Sequence, residues 1–389
     1  MSAAPDWQHG GFGLYLHWPF CQSKCPYCDF NSHVAARIDQ RLWRDAFLAE
    51  IARTGRDTSD RILDTVFFGG GTPSLMDPDL VAAILDAIRS TWRTSNSFEV
   101  TLEANPSSIE AARFRAYRDA GVNRVSMGMQ AMNDDDLRAL GRLHSAADAL
   151  RAFDTARATF DRVSFDLIYA RQHQTPDDWR AELDRALALG LDHLSLYQLT
   201  IEDGTAFGAR HAAGKLPGLP DDDRAVALWD ITQERTQSAG LPAYEISNHA
   251  RPGAESRHNL IYWRSGDWLG IGPGAHGRLT LDGTRYATET PRAPGTWLEG
   301  VSRETQAGWD HSPLPAAEHA TEFLLMGLRL TEGVDLDRYD AIAPRPLDAQ
   351  VLAGLAEDGM IELDNRRLRT TSQGRLLLNA VLRALLVDD

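Results

Sequence analysis

The stretch CQSKCPYCDF, residues 21–30, holds every cysteine of the chain: Cys21, Cys25 and Cys28. It follows at once on the β-rich run FGLYLHW (12–18). Thiolates at the spacing C-x3-C-x2-C can converge on one metal or cluster without help from the rest of the fold. Four cysteines would close a tetrahedral zinc site. Three leave one position open, unless a histidine such as His17 or His33 fills it. Two readings follow. One is a structural zinc site of three cysteines and a histidine. The other is a [4Fe–4S] cluster with one iron not held by cysteine, which a small molecule can ligate.

The run before the cysteines is the first of six. The others are DTVFFGGG (64–71), FEVTLEA (98–104), NRVSMGM (123–129), RVSFDLIY (162–169) and HLSLYQL (193–199). Between them lie apolar residues at helical spacing, such as Leu80, Ile84 and Ile88. Strands alternating with helices predict βαβ units and a parallel sheet. Right-handed crossovers curl six such units into an open, partial (β/α)6 barrel. In parallel barrels the chemistry gathers at the C-terminal ends of the strands. The candidate residues fall there. Cys21 follows strand one, and Gly69, Gly70 and Gly71 close strand two. Glu103 closes strand three, Gln130 follows strand four, and Asp166 lies near the end of strand five.

Past about residue 200 the alternation weakens. AAGKLPGLPDDD (212–223) reads as a loop and TPRAPG (290–295) as a linker. The expected division is a barrel with its extension over 1–290, a linker over 291–315 and a C-terminal domain over 316–389. The last reads as three helices, a hairpin turning at Asp364-Asn365, and a helix over 373–386. That pattern resembles a winged helix. The predicted fold class is therefore α/β, a partial barrel with a winged-helix-like α+β domain. Residues 316–389 carry 8 Arg, no Lys and 13 Asp plus Glu, which favours packing or docking over DNA binding.

The whole chain has a net charge of −15 and shows no basic footprint for nucleic acid. No apolar run reaches the ~18 residues that span a bilayer, so membrane contact would be peripheral. The N-terminal MSAAPDWQHG lacks the basic and apolar regions of a secretory signal. Clustered thiols without an export signal point to the cytoplasm.

C-x3-C-x2-C directly after a first barrel strand resembles the radical S-adenosylmethionine (SAM) superfamily. In that superfamily the fourth iron binds the amino and carboxylate groups of SAM. The strings LYLHWPFC, CPYCDFNS, FFGGGTPS, LEANP, RVSMGMQ, LGRLH, SFDLIYA, LSLYQLTIEDGTAF, YEISN, HNLIYW and GIGPGAH carry a likeness over nearly the whole chain. They resemble the oxygen-independent coproporphyrinogen III oxidase family, and more closely its heme-chaperone branch. The resemblance implies a [4Fe–4S] cluster on Cys21, Cys25 and Cys28. It implies SAM contacts by Tyr15, Tyr27, Gly70, Gly71, Thr72, Glu103, Gln130, Arg142 and Asp166. The residue types suit those roles. Glycines permit close backbone approach, a carboxylate suits an ammonium or a ribose hydroxyl, and a guanidinium fork suits a carboxylate.

Three features separate the two branches. The oxidase resembles C-x3-C-x2-C-x-C, and Phe30 stands here at the fourth position. The oxidase carries a longer N-terminal arm, whereas 20 residues precede Cys21. The chaperone branch carries H-N-x-x-Y-W, here with His258, Asn259, Tyr262 and Trp263, and its histidine is implicated in heme binding. A neutral imidazole is a standard ligand of heme iron. An exposed histidine on a mobile loop would suit a protein that must release heme. One departure is visible: the family's D-L-I-Y-G-L-P-x-Q-T reads DLIYARQHQT (166–175), which predicts a less tightly turned loop.

The resemblance implies a chaperone that carries cluster, SAM and heme. It would exchange heme with a donor or a recipient respiratory heme protein, with a cluster-driven homodimer as a further implication. The alternative within the family is an anaerobic coproporphyrinogen III dehydrogenase, which removes propionate carboxylates oxidatively by radical SAM chemistry. The alternative outside it is a zinc-stabilised binding module with no redox role.

Overall fold

The computed structural model describes residues 5–107, 111–303 and 310–386. Six parallel strands form its centre. They are β1 (Phe12–Trp18), β2 (Ile62–Gly70), β3 (Arg93–Ala104), β4 (Arg124–Gln130), β5 (Arg162–Tyr169) and β6 (His193–Gln198). Each pairs with the next in chain order, as a partial barrel of right-handed crossovers requires. The connections carry α1 (Gln40–Gly55), α2 (Pro78–Thr91), α3 (Phe114–Ala120), α4 (Asp134–Ala139), α5 (Ala146–Thr159) and α6 (Pro176–Leu187). Reciprocal capping boxes start two of these helices, Ser145 with Asp148 and Thr175 with Asp178.

Side chains alternate along each strand, and the two sets differ in kind. Phe12, Leu14, Val66, Phe68, Val125 and Phe165 are fully buried in one apolar core with the surrounding helices. The opposite set is polar. Arg124 donates to Ser164 at 2.9 Å, Ser126 and Ser164 lie 3.1 Å apart, and Ser126 donates to Asp166 at 3.4 Å. A parallel strand buried on both faces ordinarily reads apolar throughout. The polar interior marks the lumen as the place where function overrides packing.

The sheet extends past the six expected strands. Three helices follow β6: α7 (Ala206–Ala212), α8 (Asp222–Ser238) and α9 (Arg257–Trp263). β7 (Asn248–Ala250) runs antiparallel beside β6. On the other side, β8 (Asp267–Ile271) lies parallel to β1. β9 (His276–Leu281), β10 (Thr284–Glu289) and β11 (Asp310–Pro313) continue outward antiparallel, giving eleven strands among the described residues.

The stretch 291–315, expected to be a linker, is structured where it is described; 304–309 lie outside the described residues. It contains α10 (Pro294–Ser302) as well as β11. Trp297 of α10 is fully buried and stacks on Trp43 of α1 at 5.5 Å. Pro294, which reads as a breaker in the sequence, sits in the first turn, where a missing N–H costs nothing.

The C-terminal region opens with three helices and a hairpin as expected, but the hairpin turns one residue later and the last helix is in two pieces. α11 (Ala316–Gly327), β12 (Val334–Asp335), α12 (Leu336–Ile342) and α13 (Ala349–Glu357) lead into the hairpin β13 (Ile361–Asp364) and β14 (Arg367–Thr370). α14 (Ser372–Leu376) and α15 (Leu378–Leu386) follow. The hairpin turns through Asn365 and Arg366, at φ 46° and 66°, as a two-residue primed turn demands. Phe323, Leu324, Leu368 and Val381 form a core separate from the barrel's.

The loop ARQHQT corrects the expectation of a looser turn. Ala170 and His173 hold left-handed φ values of 58° and 59°. Arg171 is 4% exposed and donates to Glu182 at 2.6 Å and to Asp136 of α4 at 2.7 Å. Gln172 donates to the Pro217 carbonyl at 2.7 Å. Side-chain bonds thus replace the backbone freedom of the family's glycine. Arg171→Met takes the ion-pair partner from the buried Glu182 carboxylate, which keeps only the Met132 N–H and Gln174 as donors, and should cost roughly 3 kcal/mol in denaturant unfolding. Ala170→Gly should stabilise the same transition by about 1 kcal/mol through relief of the left-handed strain.

Candidate functional site

β1 delivers the chain to the cysteine loop at the C-terminal rim of the barrel. The ends of that loop are drawn together by a short parallel pairing of Phe20–Cys21 with His33–Val34. Two backbone bonds fasten it to the glycine turn after β2. The Gly71 N–H donates to the Trp18 carbonyl at 2.7 Å, and the Thr72 N–H to the Phe20 carbonyl at 2.8 Å. Gly70 holds φ 109°, and a Cβ there would lie 2.7 Å from the His17 ring, so no other residue fits without displacement.

The three cysteines are free thiols and face one pocket. The same pocket is lined by Tyr27, Gly70, Gly71, Thr72, Glu103, Gln130, Arg142 and Asp166. Every residue expected at the cluster or at SAM thus comes to one place, except Tyr15. Thr72 Oγ1 donates to Cys21 Sγ at 3.4 Å, and Arg142 Nη1 to Cys25 Sγ at 3.3 Å. Arg142 Nη2 donates to Asn105 Oδ1 at 2.6 Å and to the Gly128 carbonyl at 3.0 Å. Its Nε is buried without a partner among the described residues. An orphaned guanidinium N–H beside three thiols suits the carboxylate of a bound amino acid. Gln130 follows a register shift in β4 and holds φ 67°, a strained conformation of the kind that collects at binding sites.

The charges of the pocket are unsettled in a way that a ligand can settle. Burial pushes the Cys21 and Cys28 thiols up. A coordinating metal deprotonates such thiols outright. Burial, then the neighbouring Asp166, pushes the Glu103 carboxyl up to about 8. Burial likewise raises Asp166 to about 6. Burial thus disfavours charge on both carboxyls, and a cationic or hydrogen-donating ligand would favour it again.

Of the two candidate histidines, His17 has both ring nitrogens engaged. His17 is buried, and its Nε2 donates to the Asn31 carbonyl at 2.8 Å while Nδ1 accepts from Tyr15 Oη at 3.0 Å. His33 is exposed and turned to Asn31 Oδ1 at 3.3 Å. A zinc ion needs its sulfur ligands within about 4 Å of one another, as Zn–S bonds near 2.3 Å imply. Among the described residues, no group of three or more His, Cys, Asp or Glu side chains is placed to hold a metal ion.

Tyr15 stands behind this pocket, stacked on Phe67 at 6.3 Å. His258 lies farther off, and its setting corrects the expectation of an exposed ligand on a mobile loop. It sits on α9, is 1% exposed, and is lowered by burial to about 3. Its Nδ1 lies 2.6 Å from Thr65 Oγ1 and its Nε2 2.5 Å from Tyr262 Oη. Both nitrogens are engaged. Sequence reasoning missed Asn105, which accepts from Arg142 and donates to Thr72 Oγ1 at 3.3 Å, although it stands in the quoted string LEANP.

The profile of the Radical SAM superfamily matches residues 15–186, and that of the HemN C-terminal domain matches 314–377. A Mycobacterium tuberculosis protein named heme chaperone HemW is 39% identical over 96% of this chain and 95% of its own. The Escherichia coli protein of the same name is 36% identical over 96% and 98%. The chain belongs to the radical SAM superfamily, in the HemW-like branch of the oxygen-independent coproporphyrinogen oxidase family. A mitochondrial radical SAM domain-containing protein 1 from Bos taurus is 38% identical over 99% of this chain and 89% of its own. The solved Escherichia coli coproporphyrinogen III oxidase HemN superposes with a TM-score of 0.80 at 23% identity, over 96% of this chain and 90% of that one. That likeness shows a shared fold.

Proposed function

We propose that this protein is a heme chaperone that carries a [4Fe–4S] cluster and SAM and hands heme to a respiratory heme protein in the cytoplasm or at the membrane periphery. One observation carries the reading. The pocket gathers three thiols and no fourth, for Phe30 stands two places after Cys28 and is 60% exposed. The full-length likeness to proteins named heme chaperone supports it. Among the described residues, no helix is long and apolar enough to cross a membrane.

Cys21, Cys25 and Cys28 would hold three irons and leave the fourth for the amino-acid end of SAM. The cluster and SAM, when bound, supply one-electron chemistry or a regulatory state. The chain's own residues bind and orient. Arg142 Nε would donate to the carboxylate, and Glu103 with Asp166 would accept from ribose hydroxyls or from the iron-bound amine. Gly70, Gly71 and Thr72 let the ligand approach the backbone, while Gln130 and Tyr27 line the remaining walls.

The decisive experiment is titration of anaerobically reconstituted protein with heme, followed by transfer to an apo heme protein. A saturable Soret band and transfer, with no vinyl product from coproporphyrinogen III, are expected. Vinyl product without heme uptake would replace the chaperone by the dehydrogenase. The pH dependence of SAM binding tests Glu103 separately. Its carboxyl is protonated below about 8, so a ligand that needs it ionised, donating to it from a ribose hydroxyl or from the iron-bound amine, expels a proton on binding. SAM affinity should rise by up to about tenfold per pH unit between the Asp166 and Glu103 transitions, then level off. Equilibrium dialysis should show that slope, and Glu103→Gln should flatten it.

A further inference from the structure

The helix α9, which carries HNLIYW, closes the barrel at the end opposite the cysteines. Glu99 near the start of the inward part of β3 is 3% exposed and accepts from the backbone N–H groups of Arg257 at 3.0 Å and His258 at 3.4 Å. Arg162 of β5 pairs with the same carboxylate at 2.5 Å. β1 makes room by a glycine. A Cβ on Gly13 would lie 2.9 Å from Ile261 Cδ1 and 3.2 Å from His258 Nδ1. The helix is thus built into the floor.

His258 is held there between two hydroxyls, Thr65 on one nitrogen and Tyr262 on the other. A neutral imidazole has one N–H and one lone pair, and both are in use. An iron would need that lone pair. A porphyrin would also need the space taken by Phe67, stacked on the His258 ring at 5.1 Å, and by Trp268, packed on Tyr262 at 4.8 Å.

From His258 a column of rings climbs the lumen. Phe67 stacks between His258 and Tyr15, at 5.1 and 6.3 Å. The Tyr15 hydroxyl donates to His17 at 3.0 Å, and His17 donates to the carbonyl of Asn31 at 2.8 Å. Asn31 closes the cysteine loop, and the His17 ring fills the space beside Gly70. The column therefore ends on both halves of the cluster and SAM rim.

We infer that His258 is a positioning residue rather than the axial ligand of heme: through Phe67, Tyr15 and His17 it sets the backbone of the cysteine loop and of Gly70. The statement about heme rests on the chaperone reading above; the statement about the rim does not. The test uses the full chain, reconstituted without oxygen, as wild type, His258→Gln, His258→Ala and Tyr262→Phe. Heme affinity is read from the Soret band, SAM affinity by equilibrium dialysis, and folding by thermal melting. A glutamine amide supplies a donor and an acceptor to the two hydroxyls but is no ligand for heme iron. His258→Gln should keep wild-type affinity for both heme and SAM. Tyr262→Phe frees a ring nitrogen and should leave heme affinity unchanged. His258→Ala should weaken SAM binding about tenfold, the scale of a small misplacement of binding groups, with glutamine as the rescue.

Loss of the Soret band in His258→Gln with melting and SAM affinity intact would overturn the inference. So would tighter heme binding in Tyr262→Phe, or wild-type SAM affinity in folded His258→Ala. Should the alanine variant fail to fold, the glutamine and phenylalanine arms decide. If wild type itself takes up no heme, the chaperone reading fails, and the SAM arm still judges His258.

Discussion

One guanidinium holds the site together. Arg142 reaches the sulfur of Cys25, the amide oxygen of Asn105 after β3 and the carbonyl of Gly128 in β4. Cysteine loop, third strand and fourth strand are thereby fixed against one cation. A lysine in its place could not make these contacts at once, because an ammonium lacks the planar fork. Its Nε–H is buried without a partner among the described residues, which suits an anionic ligand.

That arrangement depends on a barrel whose interior is polar. The helices bury the apolar faces of the strands, and the lumen is free to carry charge. Glu103 and Asp166 are raised by burial at its top, while His258 is lowered by burial at its floor. Both departures disfavour charge in the ligand-free protein. A bound cation at the top would repay the desolvation of the carboxyls. Nothing comparable is needed at the floor, where hydroxyls already satisfy a neutral ring.

Much of this was legible in the sequence. The six barrel strands show because each joins bulky residues to a following helical pattern, and the cysteine spacing declares its chemistry without tertiary help. The C-terminal hairpin shows through Asn365, which tolerates a left-handed conformation. What escaped reading depends on distant partners. α9 has seven residues, too few for a period to emerge, and its burial is set by Gly13 and Glu99, remote in the chain. Trp297 looks like part of a linker until Trp43 lies against it. The outer strands are short and mixed, as TRYATE at Thr284–Glu289 illustrates. Arg171 reads as an insertion in a turn, and only Glu182 and Asp136 explain it.

The central claim is that three thiols present a cluster with one corner open to SAM. Mössbauer spectroscopy of oxygen-free protein reconstituted with iron-57 and sulfide tests it most directly. The account predicts a [4Fe–4S] cubane with one distinct iron whose parameters change when SAM is added. Spectra without a cubane, or with a cubane that SAM leaves untouched, would contradict it.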